Sequence, residues 1–528
     1  MEHEGATSEV WWPGAVGYCL YIRSFADSDG DGIGDLRGII ERLDYVEALG
    51  INLLWITPFY PSPMVDFGYD VANYYGVDPV FGDMADVDRL ISQANDRGIK
   101  VVVDLVANHT SHKHPWFQAA SADRSCLERD YYIWGDPAPD GGPPNNWVSY
   151  FGGPAWTFDE QTGQYYLHLF LPEQPDLNWR NPAVHQEFEQ IVRFWLDRGV
   201  AGFRVDVAQG LVKDLELRSN PQLQPYDPDS SRTSQWASFA HTHDILQPES
   251  LDVFASWKSI CHEYNAVLIG ETSVSSAAEL SSLLRGDGLD IGLWLEPLHI
   301  EWEPVALQEA LAGPLANVQE HQRVGWVASS LDEIRAASRF GGGELGQRRA
   351  LALVTLMFFL PGVPFLYQGE ELGLEQGVVA PDERADPVGA DVTLGRDGCR
   401  TPMPWQPGPS FGFTSGDHSW LPDGGRTDAD TVAAQEPDED SWLHRYKALV
   451  ALRKNRPELA NEAVEWLDFS DQGLLGFRRG SCCIVANIGA KPTLFEHQGT
   501  VIFDTHNQLE QRPEGILLAI AQTLVIEC

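Results

Sequence analysis

Four carboxylates stand where short apolar runs end: Asp104 after KVVV, Asp206 in GFRVDV, Glu271 closing AVLIGE and Asp332 closing GWVASSLD. A carboxylate at such a place can simply cap a helix, but four at separate strand ends facing one mouth point to chemistry. Arg204 and Asp206 are two apart on one run, so their side chains point the same way. The cation is expected to lower the pKa of Asp206, as suits a nucleophile or charge stabiliser; a structural ion pair is the other reading. Glu271 ends an apolar run near other carboxylates, a setting expected to raise its pKa toward that of a general acid. Two carboxyls with separated pKa values are what glycoside cleavage needs: one attacks the anomeric carbon, the other protonates the departing oxygen and then activates water. A separation of ~5 Å would make the reaction retaining.

The run DSDGDGIGDL sets Asp27, Asp29, Asp31, Ile33 and Asp35 at alternate positions, with Gly30, Gly32 and Gly34 permitting a tight wrap. That is the ligand pattern of a Ca²⁺ loop in the EF-hand manner, without a second helix-loop partner or closing Glu. A turn rich in Asp and Gly is the plainer alternative. A structural Ca²⁺ is expected, far from the chemistry, and no organic cofactor.

These residues need a frame. From Ala15 to Gln368, apolar runs at 15–22, 51–58, 100–105, 200–207, 266–271, 291–297, 325–332 and 363–369 alternate with amphipathic stretches. The pattern predicts repeated βα units around a parallel sheet, an α/β chain closed into a (β/α)8 TIM barrel with its catalytic groups at the C-terminal strand ends. Between His109 and Asn178 the rhythm breaks into a Trp-, Gly- and Pro-rich stretch too long for a plain loop, which predicts a lobe inserted after strand 3. After strand 8, DADTVAAQEPDED reads as a solvated connector into a helix over SWLHRYKALVALRKNR, and the tail from about Glu458 alternates in short strands. The expected division is a barrel over 1–108 and 179–455, with a 370–455 subdomain; a lobe over 109–178; and a C-terminal antiparallel β-sandwich over 456–528.

At 528 residues the chain exceeds one ordinary core. Acidic residues outnumber basic ones 77 to 36, a formal charge of −41 that argues against nucleic acid and favours a neutral partner. The acidity also fits a solubilising surface or adaptation to salt. No run reaches the ~18 apolar residues of a membrane helix, and LALVTLMFFLPGVPFL, cut by Pro361 and Pro364, reads as a buried helix feeding a strand. MEHEGATSEVWW lacks the basic start and apolar core of a signal peptide, and the seven cysteines show no metal spacing. A reduced, cytoplasmic protein is expected, monomer or homodimer, with no membrane partner. The 18 Trp suit the stacking of sugar rings as well as core packing.

In order and spacing, DLVANHT, GFRVDV, GET and the 326–339 stretch resemble the four strand-end regions of the α-amylase clan of glycoside hydrolases, and the match runs over nearly the whole chain. QPDLN, WWPGAVGYCLYIRSFADSDGDGIGDL, DFGYD and GCRTPMPW are similar to its α-glucosidase and oligo-1,6-glucosidase branch. The resemblance implies an exo-acting enzyme on a small oligosaccharide or α-glucoside, with Asp206 as nucleophile, Glu271 as acid/base and Asp332 holding hydroxyls of the distorting glucose. It further implies that Asp66 and Arg400 clamp the far hydroxyl, Tyr69 stacks on the ring, His109 and Arg204 hold hydroxyls and nucleophile, and Phe151 and Phe170 line the pocket. Val207 is the residue type the family shows with α-1,6 preference.

One position departs from the pattern. Where the family reads Asn-His-Asp, this chain reads Ser330, Leu331, Asp332, and the absence of a hydrogen bond in a desolvated pocket costs about 1–3 kcal/mol. Leu331 then makes room for a modified sugar, or marks transfer of glucose to an apolar acceptor, or belongs to a non-catalytic relative. Retention of the charged set argues against the last.

Overall fold

The computed structural model describes residues 10–388, 395–456, 459, 462–469 and 472–528. The acidic opening segment before Val10, and Glu458 near which the tail begins, lie outside them. Eight parallel strands close a barrel: β1 (Gly17–Leu20), β2 (Leu53–Ile56), β3 (Lys100–Val106), β4 (Gly202–Asp206), β5 (Val267–Thr272), β6 (Ile291–Trp294), β7 (Val324–Val327) and β8 (Val363–Tyr367). Each strand pairs with its neighbours in the chain, and β8 returns to β1. Helices cover the outside, so the strands are almost wholly buried and read as continuous apolar runs rather than alternating ones. The helix Gly343–Phe359 feeds β8 across Pro361.

Register carries the chemistry. In the β3–β4 pairing Asp104 faces Arg204 and Val106 faces Asp206, so Arg204 meets Asp104 across the ladder and Asp206 two residues along its own strand. The nucleophile candidate is the last residue of β4. The chain then turns through Val207 in the left-handed region (φ 48°), strain that a β-branched residue accepts only when its surroundings impose it. That turn points the Val207 amide at Glu271 Oε2, 2.9 Å away. β7 stops at Val327, so Asp332 sits on the turn beyond the strand rather than at its end.

The insertion after β3 folds as a lobe with a three-stranded antiparallel sheet of Trp134–Gly135, Gln164–Leu167 and Trp156–Asp159. An internal ion pins it to the barrel: Lys213 Nζ lies 2.6 Å from Asp176 Oδ2 and donates to Asn108 Oδ1 at 2.6 Å. Asn108 Nδ2 completes the ring to Asp176 Oδ1. The tail forms two antiparallel sheets, of five and three strands. The five-stranded sheet is fastened to the barrel by the buried Arg479, which donates to Phe359 O at the end of helix Gly343–Phe359, while the buried Arg453, on the helix Trp442–Lys454 that precedes the sheets, donates to the carbonyls of Leu360 and Gly362 in the turn beyond it. The stretch 428–440, expected as a solvated connector, is folded instead. Its acidic residues face solvent, but a short helix at Val432–Gln435 buries Gln435, which donates to Leu372 O and accepts from Leu443 N. Among the described residues no helix is long and apolar enough to cross a membrane.

Candidate active site

A cavity of about 440 Å³ opens at the C-terminal mouth of the barrel, under the lobe. Of the expected site residues, Asp66, Tyr69, His109, Phe151, Phe170, Arg204, Asp206, Glu271, Leu331 and Asp332 all line it. At its centre one guanidinium gathers three acids. Arg204 Nη1 is 2.7 Å from Asp104 Oδ1 and 2.6 Å from Asp206 Oδ1, while Nη2 is 3.0 Å from Glu271 Oε2. Trp55 and Tyr69 donate to the other oxygen of Asp104. Among the described residues, Asp206 Oδ2 and Glu271 Oε1 take no hydrogen bond from the protein. These are the two oxygens left for substrate.

The electrostatics reverse one expectation. Arg204 does pull the pKa of Asp206 down, but burial, with Glu271 and Asp104 beside it, raises it well above the ordinary carboxylate range. Burial likewise pushes Asp104 up to about 6 against the pull of Arg204. Three acids converge on one cation, so lost hydration and mutual repulsion outweigh the attraction. Protons on such a cluster belong to the group rather than to one residue.

A second charged knot closes the far end. Arg396 is 2.8 Å from both Asp66 Oδ1 and Asp386 Oδ1, and 3.4 Å from Asp332 Oδ1. Gln174 donates to Asp66 Oδ2 at 3.1 Å. Arg400 was expected to clamp the far hydroxyl together with Asp66, but the arginine that lines the cavity beside Asp66 is Arg396. Arg400 is fully buried behind the wall, holding Asp332 Oδ1 at 2.8 Å and the Leu331 carbonyl at 2.8 Å. Both arginines lie in RDGCRTPMPW, and the turn Arg396–Cys399 directs the first into the cavity. Burial opposes the charge on Asp332, but Arg400, Arg396 and Arg204 together hold its pKa below the usual value. The Leu331 side chain is buried at the cavity wall, without polar atoms where the family pattern has imidazole.

Toward the mouth the wall becomes aromatic. Phe170 packs on His109 (centroids 5.2 Å), stacks on Tyr150 (5.1 Å) and meets Phe151 edge-on (5.3 Å); Tyr150 stacks on Trp236 at 3.8 Å. Tyr150 and Trp236, with the cavity-lining Arg232, Thr233 and Glu333, were not singled out by the sequence. Tyr150 stands within the Trp- and Gly-rich lobe stretch beside Phe151, the one available signal; the Arg232–Trp236 helix has no motif of its own.

In the acidic loop, oxygens of Asp27, Asp29 and Asp35 lie within 4.8 Å of one another. Asp31 stands outside that trio, its Oδ1 accepting from Ile33 N. Asp35 has a second task, capping the helix Leu36–Glu41 through Gly38 N. Burial raises the pKa of Asp31, and the three other aspartates add to it. Among the described residues none of the four is ion-paired, so the loop holds uncompensated negative charge, a donor set that fits a hard divalent cation.

Comparison with known proteins agrees with this geometry. The family model for the alpha-amylase catalytic domain matches residues 19–462. The chain is 41% identical over 481 residues to a probable alpha-glucosidase of Rhizobium meliloti (strain 1021), covering 89% of this chain and 87% of that one. It is 35% identical over 548 residues to an oligo-1,6-glucosidase of Parageobacillus thermoglucosidasius, covering 95% and 94%. The crystal structure of the alpha-glucosyl transfer enzyme XgtA superposes with a TM-score of 0.90 at 39% identity, over 98% of this chain and 100% of that one.

Proposed function

The chain belongs to the α-amylase family of glycoside hydrolases, in its α-glucosidase branch, and from that premise we propose that it removes glucose from non-reducing ends with retention, through a covalent glucosyl-Asp206. The observation that carries this reading is the Arg204 guanidinium bridging Asp206 and Glu271, which supports the short carboxyl separation of retaining catalysis. Asp206 Oδ2 attacks the anomeric carbon as the glycosidic oxygen leaves, taking the proton of Glu271. Glu271 then accepts a proton from the incoming hydroxyl, whose oxygen bonds to the anomeric carbon as the Asp206 ester breaks. The knot of Asp66, Arg396 and Asp386 supports a blind pocket for one terminal glucose, hence exo action. With the acids and their cation assembled and relatives that are glycosidases, the non-catalytic reading is set aside. The experiment is hydrolysis of p-nitrophenyl α-glucoside and natural disaccharides, following the product anomer by NMR. First-formed α-glucose supports the proposal; β-glucose would sink it.

A second reading, transfer of glucose to a hydroxyl acceptor, is favoured by the aromatic rim, whose stacked rings give an acceptor an apolar, water-poor wall. The similarity to an alpha-glucosyl transfer enzyme supports it. Product analysis with and without added acceptor alcohols separates the two.

We also propose that the 27–35 loop binds Ca²⁺ as a structural ion. Asp27, Asp29 and Asp35 would hold it, far from the reacting atoms. Ligand saturating at 100 times its Kd stabilises by about 2.7 kcal/mol, so chelation should lower Tm while leaving the rate of the surviving enzyme unchanged. An unchanged Tm would leave the loop a plain Asp-Gly turn. The cysteines, scattered along the chain and odd in number, support a reducing, cytoplasmic location, which cell fractionation tests.

A further inference from the structure

The outer wall of the cavity holds a carboxylate that the reaction leaves unused. Glu333 follows Asp332 on the turn after β7 and lines the cavity with Arg232, Trp236 and His299. Its neighbour Asp332 is gripped by Arg400 and Arg396. Glu333, by contrast, has no hydrogen-bond or ion-pair partner among the described residues, though it is half-buried. The charges facing it are Asp332 on its own turn, Arg232 from the Arg232–Trp236 helix, Arg339 from Ala336–Arg339 and His299 from the turn after β6. Burial, with Asp332 adding, raises its pKa to about 7 against the pull of Arg232 and Arg339. A half-buried carboxylate that no side chain holds in place is open to a donor brought by a ligand. The facing wall, formed by Tyr150, Phe151, Phe170 and Trp236, is largely aromatic. Glu333 adjoins the residue assigned to the reactive glucose and lines the cavity together with Arg232 and Trp236 of the rim.

Resting on the α-glucosidase reading, we infer that Glu333 selects the group on the other side of the scissile bond, accepting a hydrogen bond from a hydroxyl of a sugar-type leaving group or acceptor. Trp236 and Tyr150, whose faces are taken by each other, His241 and Phe170, offer their edges as an apolar wall for such a ring, and Glu333 with Arg232 offers a polar one. Glu333 takes no proton in the reaction: the acceptor proton goes to Glu271 as the new bond to the anomeric carbon forms and the Asp206 ester breaks. The ionised carboxylate is the better acceptor, so preference for a hydroxylated leaving group should fade as pH falls through about 7.

The test compares kcat/KM on p-nitrophenyl α-glucoside, whose leaving group has no hydroxyl to offer Glu333, with that on whichever of maltose, isomaltose and sucrose is cleaved fastest. Wild type, Glu333→Gln and Glu333→Ala are measured from pH 5.5 to 8.5. In Glu333→Ala the loss on the disaccharide should exceed the loss on the aryl glucoside by about tenfold, the worth of one charge-assisted hydrogen bond. On acidification the disaccharide-to-aryl ratio in wild type should fall relative to the same ratio in Glu333→Gln. That comparison cancels the titration of the reacting carboxyls, which the two proteins share. Equal losses on both substrates, or a wild-type ratio that follows that of Glu333→Gln across the pH range, would overturn the inference and leave the α-glucosidase reading standing. Wild type inert on every substrate would overturn both.

Discussion

The floor and the rim of this cavity are built from different materials. On the floor Asp66, Asp104, Asp206, Glu271, Asp332 and Asp386 are tied by Arg204, Arg396 and Arg400, with contacts of 2.6–3.4 Å. Most of these residues come from barrel strand ends or from turns packed on them. The rim is a stack of rings, Phe170 on Tyr150 on Trp236, drawn from the inserted lobe and from the long loop after β4. Removing one partner of a buried ion pair costs about 3–5 kcal/mol, whereas an aromatic pair adds about 0.5–1.5 kcal/mol beyond its area. The floor, where acids outnumber cations, thus tolerates loss of a cation poorly, and it holds the reacting atoms. The rim can be re-cut at small cost, which is where partner choice in a barrel enzyme can vary.

The largest effect should come from the floor's centre. Asp206→Asn should lower kcat by about 10⁴-fold or more, the scale seen when a nucleophile is lost. Its Tm should hold or rise, because one of three mutually repelling acids is gone. A sharp fall in Tm would instead make Asp206 a structural partner of Arg204. Next, Arg396→Ala leaves Asp66 and Asp386 without their shared cation, so stability should drop by about 3–5 kcal/mol and kcat/KM should fall with it. Arg396→Lys should restore little, since a point charge cannot serve three carboxylates in a planar fork. At the rim, Trp236→Ala should weaken acceptor binding by about tenfold and shift products from transfer toward hydrolysis, with a smaller loss in denaturant melts than Arg396→Ala, because Trp236 is only partly buried. If Trp236→Ala destabilised as much as Arg396→Ala, the contrast between floor and rim would not stand.

How far each region can be read from sequence follows the same division. All eight strands are legible because burial on both faces writes them as unbroken apolar runs, such as KVVVDLV. Asp206 and Glu271 are legible because they close such runs. The direction of the Asp206 shift is not, since the sequence shows only Arg204 two residues away and not the acids arriving from β3 and β5. Nor can it decide between Arg396 and Arg400, which share a motif without the periodicity that would tell inward from buried. The lock of Lys213 on Asp176 and the stack of Tyr150 on Trp236 join distant segments, and nothing local announces either. The 428–440 stretch misleads because its composition is that of a solvated linker, while one residue, Gln435, anchors it.

Leu331 blurs the division, being an apolar, rim-like residue set among the floor's charges, and it gives the mildest test. Its backbone carbonyl is fixed by Arg400 Nε and Cys399 Sγ, so a substitution there changes the side chain while the turn that carries Asp332 stays in place. Leu331→His adds a donor beside the glucose pocket and keeps roughly the same bulk. A hydrogen bond to the bound sugar is worth about 1 kcal/mol, so kcat/KM for plain α-glucosides should rise about fivefold, with little change in Tm. An imidazole left without a partner in the empty pocket would lower Tm, and a fall in kcat/KM would mean that Leu331 contacts an apolar part of the natural substrate. In that case the rim's chemistry reaches down to the reacting sugar, and the acceptor, not the glucose, is what this wall was shaped around.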